Sequence, residues 1–253
     1  MPQPITHYLI TRRAVPERYW NEYWWEKKEN FDFRPYFGTG SASPDFFYLD
    51  VKENKSLNSK ITLYEYLLQS DIDNDDSIKI KSSTELSNAI HGDKTFDMFC
   101  YMLDIAKQNK KDNLLKAKKQ FCFALGFYSH VIADCVIHPY VYRNTKDHWA
   151  TSSFIHESKH KIFEARLDKG CDAWIRHDNN IKSNFKSEDY NWDCKENVIK
   201  NWSITDNIDK DIWDLFDESL KANFKEELYP RNTNYNSRND KINNSYEWFE
   251  FAA

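Results

Sequence analysis

The chain has 253 residues and a mass of 30.3 kDa, enough to bury a real core as one large domain or two small ones. Only 5 residues are Gly, against the roughly 18 that average usage of about 7% would give, so turns that need Gly are few and helices are favoured. Aromatic residues at 16% set the chain apart from disordered sequences. A net charge of -5, with no dense Lys/Arg block standing out, lacks the footprint of a nucleic-acid binder, so polyanionic partners are not expected.

In chain order, residues 5–28 carry Ile5, Tyr8, Leu9, Val15, Tyr19, Trp20, Tyr23 and Trp24 at mixed spacings of three and four, which predicts one helix or two parted near Pro16. The aromatic run at 19–25 reads as core, or as an edge able to hold an acyl chain. Residues 29–50 contain Pro35, Gly38, Gly40 and Pro44 and read as an extended loop. Residues 51–83, rich in Asp, Asn and Lys, read as an insertion with a short helix near 61–69. Helical periodicity returns over 84–108, where Phe96, Phe99, Met102, Leu103 and Ile105 mark an apolar face. An apolar helix follows over 113–138, which Pro139 should end or bend, because the residue before a proline is pushed out of the α region.

Further helices fit 152–176 and 205–227, the latter amphipathic through Ile208, Ile212, Trp213, Leu215, Phe216 and Leu220. The expected fold class is all-α: one multi-helix domain over 1–229, followed by an Asn-rich, poorly ordered tail over 230–253. No segment approaches the roughly 20 apolar residues that span a bilayer, and the first thirty residues lack the apolar core of a signal peptide, so the chain as given reads as cytoplasmic. Cys100, Cys122, Cys135, Cys171 and Cys194 are odd in number and unpaired in spacing, which fits reduced thiols.

The chemistry-bearing segment is 123–140, where His130, Asp134 and His138 stand four residues apart within an apolar helix. At about 3.6 residues per turn they share one face within about 80°. Two imidazoles and a carboxylate on such a face are costly unless paired, hydrogen-bonded or bound to metal. His130 and His138 lie about 12 Å apart along the axis, too far to share one ion, whereas Asp134 between them could serve either side or bridge two ions. His160 and Glu164 repeat the four-residue spacing on the next helix. Together these residues form a set of imidazoles and carboxylates suited to zinc or another first-row divalent ion, although any one pair would also suit a solvated helix face.

These residues resemble the zinc-dependent phospholipase C family, helical hydrolases with a trinuclear zinc site. The resemblance rests on Thr6-His7-Tyr8, Ser43-Pro44-Asp45-Phe46-Phe47, His91-Gly92, His130-x3-Asp134-x3-His138-Pro139 and His160-x3-Glu164-x3-Asp168, in the family's order. It covers most of residues 1–168. It implies one ion held by Asp45, His91, His130 and Asp134, a second by His138, His160 and Glu164, and a third by His7 and Asp134. In secreted relatives a free N-terminal amine completes the third site. This chain departs there, with His7 six residues from Met1 and no cleavable leader visible. His156 competes with His160 at the same spacing, but Glu164 and Asp168 continue the pattern from His160. His148 and His177 read as surface residues.

The resemblance implies a phosphodiester hydrolase, with two or three zinc ions activating water for attack on phosphorus and with Asp45 as ligand and orienting base. Such chemistry needs no nucleophilic side chain, which agrees with the lack of a Ser-His-Asp or Cys-His arrangement. The expected partner is a phosphodiester or phospholipid, with transient contact at a membrane surface. The alternatives are a related zinc nuclease, disfavoured by the acidic balance, and a non-catalytic protein stabilised by metal.

Overall fold

The structure is a computed structural model that describes residues 6–7, 10, 34–49, 86–92, 94–146, 159–160, 162–164, 166–167, 170, 209–225 and 229. These residues are mostly helical, and no strand occurs among them, so the all-α expectation holds. The expected insertion, most of the 5–28 helix and the tail lie outside the described residues, as do Cys171, Cys194, His148, His156, Asp168 and His177.

Helix α1 spans Arg34–Ala42 and runs into a 3-10 helix, Ser43–Leu49. This corrects the expected loop over 29–50. Pro35 and Pro44 each sit in a first turn, where a missing N–H leaves nothing unsatisfied. Gly40 is spent on close packing instead of a turn. A Cβ on Gly40 would lie 2.1 Å from the Phe123 carbonyl oxygen, and one on Gly126 would lie 2.1 Å from that of Phe37. The two backbones therefore touch at a glycine crossing that no larger residue permits.

The expected 84–108 helix is divided. Residues 86–90 form a short helix, a turn follows at 91–92, and α2 occupies Thr95–Asn109. The Thr95 hydroxyl fastens the turn by donating to the Gly92 carbonyl at 2.7 Å and to that of Ile90.

Helix α3, Leu114–Thr145, is the central element, packed against α1, α2 and α4, the last spanning Lys210–Asn223. Asn113 caps α3, its side chain accepting from the Lys116 N–H at 2.9 Å, and Lys146 closes it in the left-handed conformation at φ 58°. Pro139 neither ends the helix nor confines it to 113–138. The proline frees one carbonyl, that of Cys135, on an exposed residue that water can reach, while buried Val141 and Thr145 hold the final turns in the core. By length and composition α3 could cross a membrane, contrary to the expectation that no segment approaches that character.

Helix α4 is shorter than the expected 205–227. Asp209 caps it, accepting from the Asp211 N–H at 2.9 Å. The same carboxylate accepts from the Tyr36 hydroxyl at 2.9 Å and from Lys119 Nζ at 2.6 Å, which ties α4 to α1 and α3. Phe216 of α4 meets Phe47, Phe46 and Phe123 at ring centroid distances of 6.1, 6.4 and 5.7 Å, forming the aromatic centre of the core.

Candidate metal centre

The fold brings all eight expected residues together. Asp45 comes from the first turn of the 3-10 helix, His91 from the turn before α2, and His130, Asp134 and His138 from one face of α3. His7, His160 and Glu164 stand on helical residues of their own segments. Six of the eight are buried, and His91 and His138 are partly buried, with side chains 10% and 17% exposed.

Three groups have ligand atoms within 4.8 Å of one another: Asp45, His91 and His130; His7, His130 and Asp134; and His138, His160 and Glu164. Asp134 Oδ1 faces His7 Nε2 at 3.3 Å and His138 Nε2 at 3.5 Å, while its Oδ2 faces His130 Nε2 at 3.3 Å and His91 Nε2 at 3.7 Å. Each oxygen of one carboxylate thus looks toward a different pair of imidazoles, the bridging position expected from the axial spacing. His138 Nε2 also lies 3.4 Å from Glu164 Oε1, which His160 Nε2 approaches to 2.7 Å.

Apart from the hydrogen bond of His160 with Glu164, these separations fit a metal better than hydrogen bonds. Asp45 Oδ1, Asp134 Oδ1, His138 Nε2 and both nitrogens of His7 are buried without a hydrogen-bond partner among the described residues, an arrangement with a cost unless something else satisfies them. Zinc bonds of about 2.0–2.1 Å in a tetrahedron set ligand atoms about 3.4 Å apart. The separations of Asp45 Oδ1 and Asp134 Oδ2 from the imidazoles, 3.2 to 3.7 Å, straddle that value. Imidazole nitrogen with carboxylate oxygen is also the donor set that zinc accepts.

Tautomers make the same point. The Nδ1 of His130 lies 2.7 Å from the Ser41 carbonyl oxygen, and that of His91 lies 2.7 Å from the Ser87 carbonyl oxygen. A carbonyl only accepts, so both Nδ1 atoms must donate, and in the neutral rings both Nε2 atoms are bare lone pairs. Those two Nε2 atoms face each other at 3.0 Å. Two lone pairs at that distance repel unless a proton or a cation lies between them. Buried Asp45 and Asp134 hold the His130 proton strongly enough to raise its pKa to about 9, although burial alone pulls it down.

Burial lowers the pKa of His7, assisted by the charge of His130. For Asp134 and Asp45, burial pushes the pKa up but is overcome chiefly by His130, so both carboxyls end below their usual range, Asp134 well below. Glu164 falls to about 2 although burial alone pushes it up, with the His160 and His138 imidazoles against its carboxylate at 2.7 and 3.4 Å. The carboxylates are therefore ionised at neutral pH.

What sequence reasoning missed are the groups that hold the ligands. The Ser87 hydroxyl donates to the Pro44 carbonyl at 2.9 Å, pinning the residue before Asp45 to the short helix that leads into the His91 turn. The glycine crossing brings the Ser41 carbonyl to His130. Main-chain carbonyls have no side-chain signature, but two glycines at helical positions in a Gly-poor chain were a visible signal. His130 and His7 also stack, with centroids 3.8 Å apart and planes 11° apart.

A family model described as zinc dependent phospholipase C matches residues 6–212, a span that includes all eight residues. Comparisons with curated proteins and with solved structures gave no match.

Proposed function

The chain belongs to the zinc-dependent phospholipase C family, and on that footing we propose that it hydrolyses phosphodiesters of phospholipids, releasing a phosphorylated head group. Asp45, His91, His130 and Asp134 would hold one ion, His138, His160 and Glu164 a second, and His7 with Asp134 a third. Zinc bound there would supply a Lewis acid for the phosphoryl oxygens and lower the pKa of water toward neutrality.

The chain's own part is to aim and to take up protons. Ser41 and Ser87 fix the rings of His130 and His91 with Nε2 directed inward. Asp45 is ionised at neutral pH and would accept the hydrogen bond of the attacking water, orient it in line with phosphorus and take its proton. The observation that carries the reading is the convergence of eight imidazoles and carboxylates from separate segments, with buried donor and acceptor atoms left for a ligand.

The test is a panel of a chromogenic phosphodiester, phosphatidylcholine in mixed micelles and single-stranded DNA, each with and without chelator. Cleavage of the lipid that is chelator-sensitive and is lost in His130→Ala and Asp45→Asn, with the helical circular dichroism retained, is expected. Cleavage of DNA alone would replace the reading with a nuclease. No turnover by zinc-loaded protein would leave a metal-stabilised, non-catalytic role.

A further inference from the structure

Helix α3 is apolar on both sides, and only one side is needed for the core and the metal ligands. Ile132, Val136 and Tyr140 follow one another at four-residue spacing and are 48%, 67% and 55% exposed. They stand two residues out of phase with His130, Asp134 and His138, about 200° around the helix. Leu114 lies on the same outer line, 49% exposed, about 39 Å from Tyr140 along the axis. Phe96 of α2 widens the stripe beside Tyr128, and Phe163 widens it beside Tyr140.

The charges at the two ends of this face are mostly basic among the described residues. The sole acidic residue of α3 is Asp134, which points into the metal cluster. Lys107 in the last turn of α2, and Lys110 and Lys111 at the turn that leads into Leu114, are exposed, with Asp112 the carboxylate among them. Arg143 and Lys146, both exposed, close the far end. In a chain of net charge -5, this local arrangement is hidden in the whole-molecule balance.

We infer that the outer face of α3, with the lysines at the turn before it, docks on the surface of a bilayer containing anionic phospholipid. An apolar stripe lying parallel to the surface with cations at its ends is the arrangement that inserts among head groups while its charges meet lipid phosphate. The inference concerns a surface away from the metal cluster and goes beyond the proposed hydrolysis, which it does not require.

The experiment is flotation of the full chain with vesicles of phosphatidylcholine, with and without phosphatidylglycerol, at low and high salt. Binding is expected only where phosphatidylglycerol is present, and it should fall as salt rises. The Lys110→Glu and Lys111→Glu pair, confined to an exposed turn, should weaken binding by about fivefold or more for each lysine. Ile132→Ser with Val136→Ser should weaken it at least about tenfold. Both variants should keep the wild-type circular dichroism and the wild-type rate on a soluble chromogenic diester. If the soluble diester is not cleaved while vesicle binding persists, the hydrolase reading fails and the docking surface stands. Wild-type protein that binds no vesicle, binding indifferent to both variants, or a dimer in gel filtration that the Ile132→Ser, Val136→Ser variant dissociates would overturn the inference.

Discussion

Replacing Gly126 by Ala adds a single methyl group at the point where α1 and α3 touch. The new Cβ would fall 2.1 Å from the Phe37 carbonyl oxygen, 2.8 Å from the Ser41 nitrogen and 3.0 Å from the Gly40 Cα. All three are main-chain atoms, so no side chain can rotate away, and the helices must part by about 1 Å or more to restore ordinary contact. Overpacking of this kind costs about 1–3 kcal/mol, which for a chain of this size lowers Tm by about 2–4 °C per kcal/mol. The movement also draws the Ser41 carbonyl away from His130 Nδ1, a support for a ligand whose loss weakens metal affinity by about 10–100-fold. Thermal unfolding by circular dichroism and zinc affinity by chelator competition measure the two effects separately. Gly40→Ala, with its Cβ 2.1 Å from the Phe123 oxygen, should behave alike. Gly170→Ala, helical and with nothing within 4 Å, should be neutral or stabilising by up to about 1 kcal/mol. If Gly126→Ala matched Gly170→Ala in both Tm and zinc affinity, the crossing would not be what holds the centre.

Asp134→Ala should lose more than one zinc equivalent in metal analysis of the reconstituted protein and His160→Ala about one, because the two oxygens of Asp134 face different imidazole pairs; equal losses would refute the bridge. Zinc binding near pH 7.5, a value about midway between the ordinary 6.5 and the raised value of about 9 for His130, should release a proton from that ring, seen as a calorimetric heat that changes with the buffer's ionisation enthalpy. In metal-free protein the sign is that of a raised pKa: the contribution of His130 to stability is complete below pH 6.5 and is lost as pH rises through about 9. Asp209→Ala should cost about 1–2 kcal/mol in denaturant unfolding through loss of the α4 cap. Because the Asp209 carboxyl is held below its usual value of 3.8, its stabilisation is present above that pH and should fade as pH drops through the lower folded value. Ser87→Ala should lower zinc affinity while leaving the helical signal intact, since it frees the Pro44 carbonyl beside Asp45 without touching a ligand.

The grouping of the candidate ligands on the central helix was legible because four-residue spacing on an apolar helix is a local pattern. His130, Asp134 and His138 could be placed on one face, and Asp134 between two centres, from the rise of an α-helix alone. Asp45, His91 and His7 stand alone in sequence, and only the order of the family's motifs pointed to them. The elements misread were those in which local propensity yields to packing. The Pro- and Gly-bearing stretch around α1 packs as a helix where Gly40 meets Gly126 of α3, and α3 continues past Pro139 because buried Val141 and Thr145 hold its end. The split at 91–92 follows the opposite logic. The periodicity of 84–108 ran through a His-Gly turn whose closure depends on the Thr95 hydroxyl, a contact that periodicity cannot register.

Charge gives the last link between this architecture and the proposed substrate. Asp45, Asp134 and Glu164 are all held ionised, and they are buried where unbalanced negative charge is costly. In metal-free protein a proton on His130 offsets part of that charge, which is why its pKa rises despite burial. Neutral imidazoles, the form in which metal is bound, offset none of it. Two divalent ions would more than balance three carboxylates, and a third would leave a larger positive excess. A centre completed in this way is matched to a singly charged phosphodiester, whose negative charge it would attract and whose developing charge in the transition state it would stabilise. On the proposed reading, the carboxylates that call for cations would also set the sign of the substrate, and substitution of Asp45 by Asn should weaken metal retention and alter the binding of a phosphodiester together.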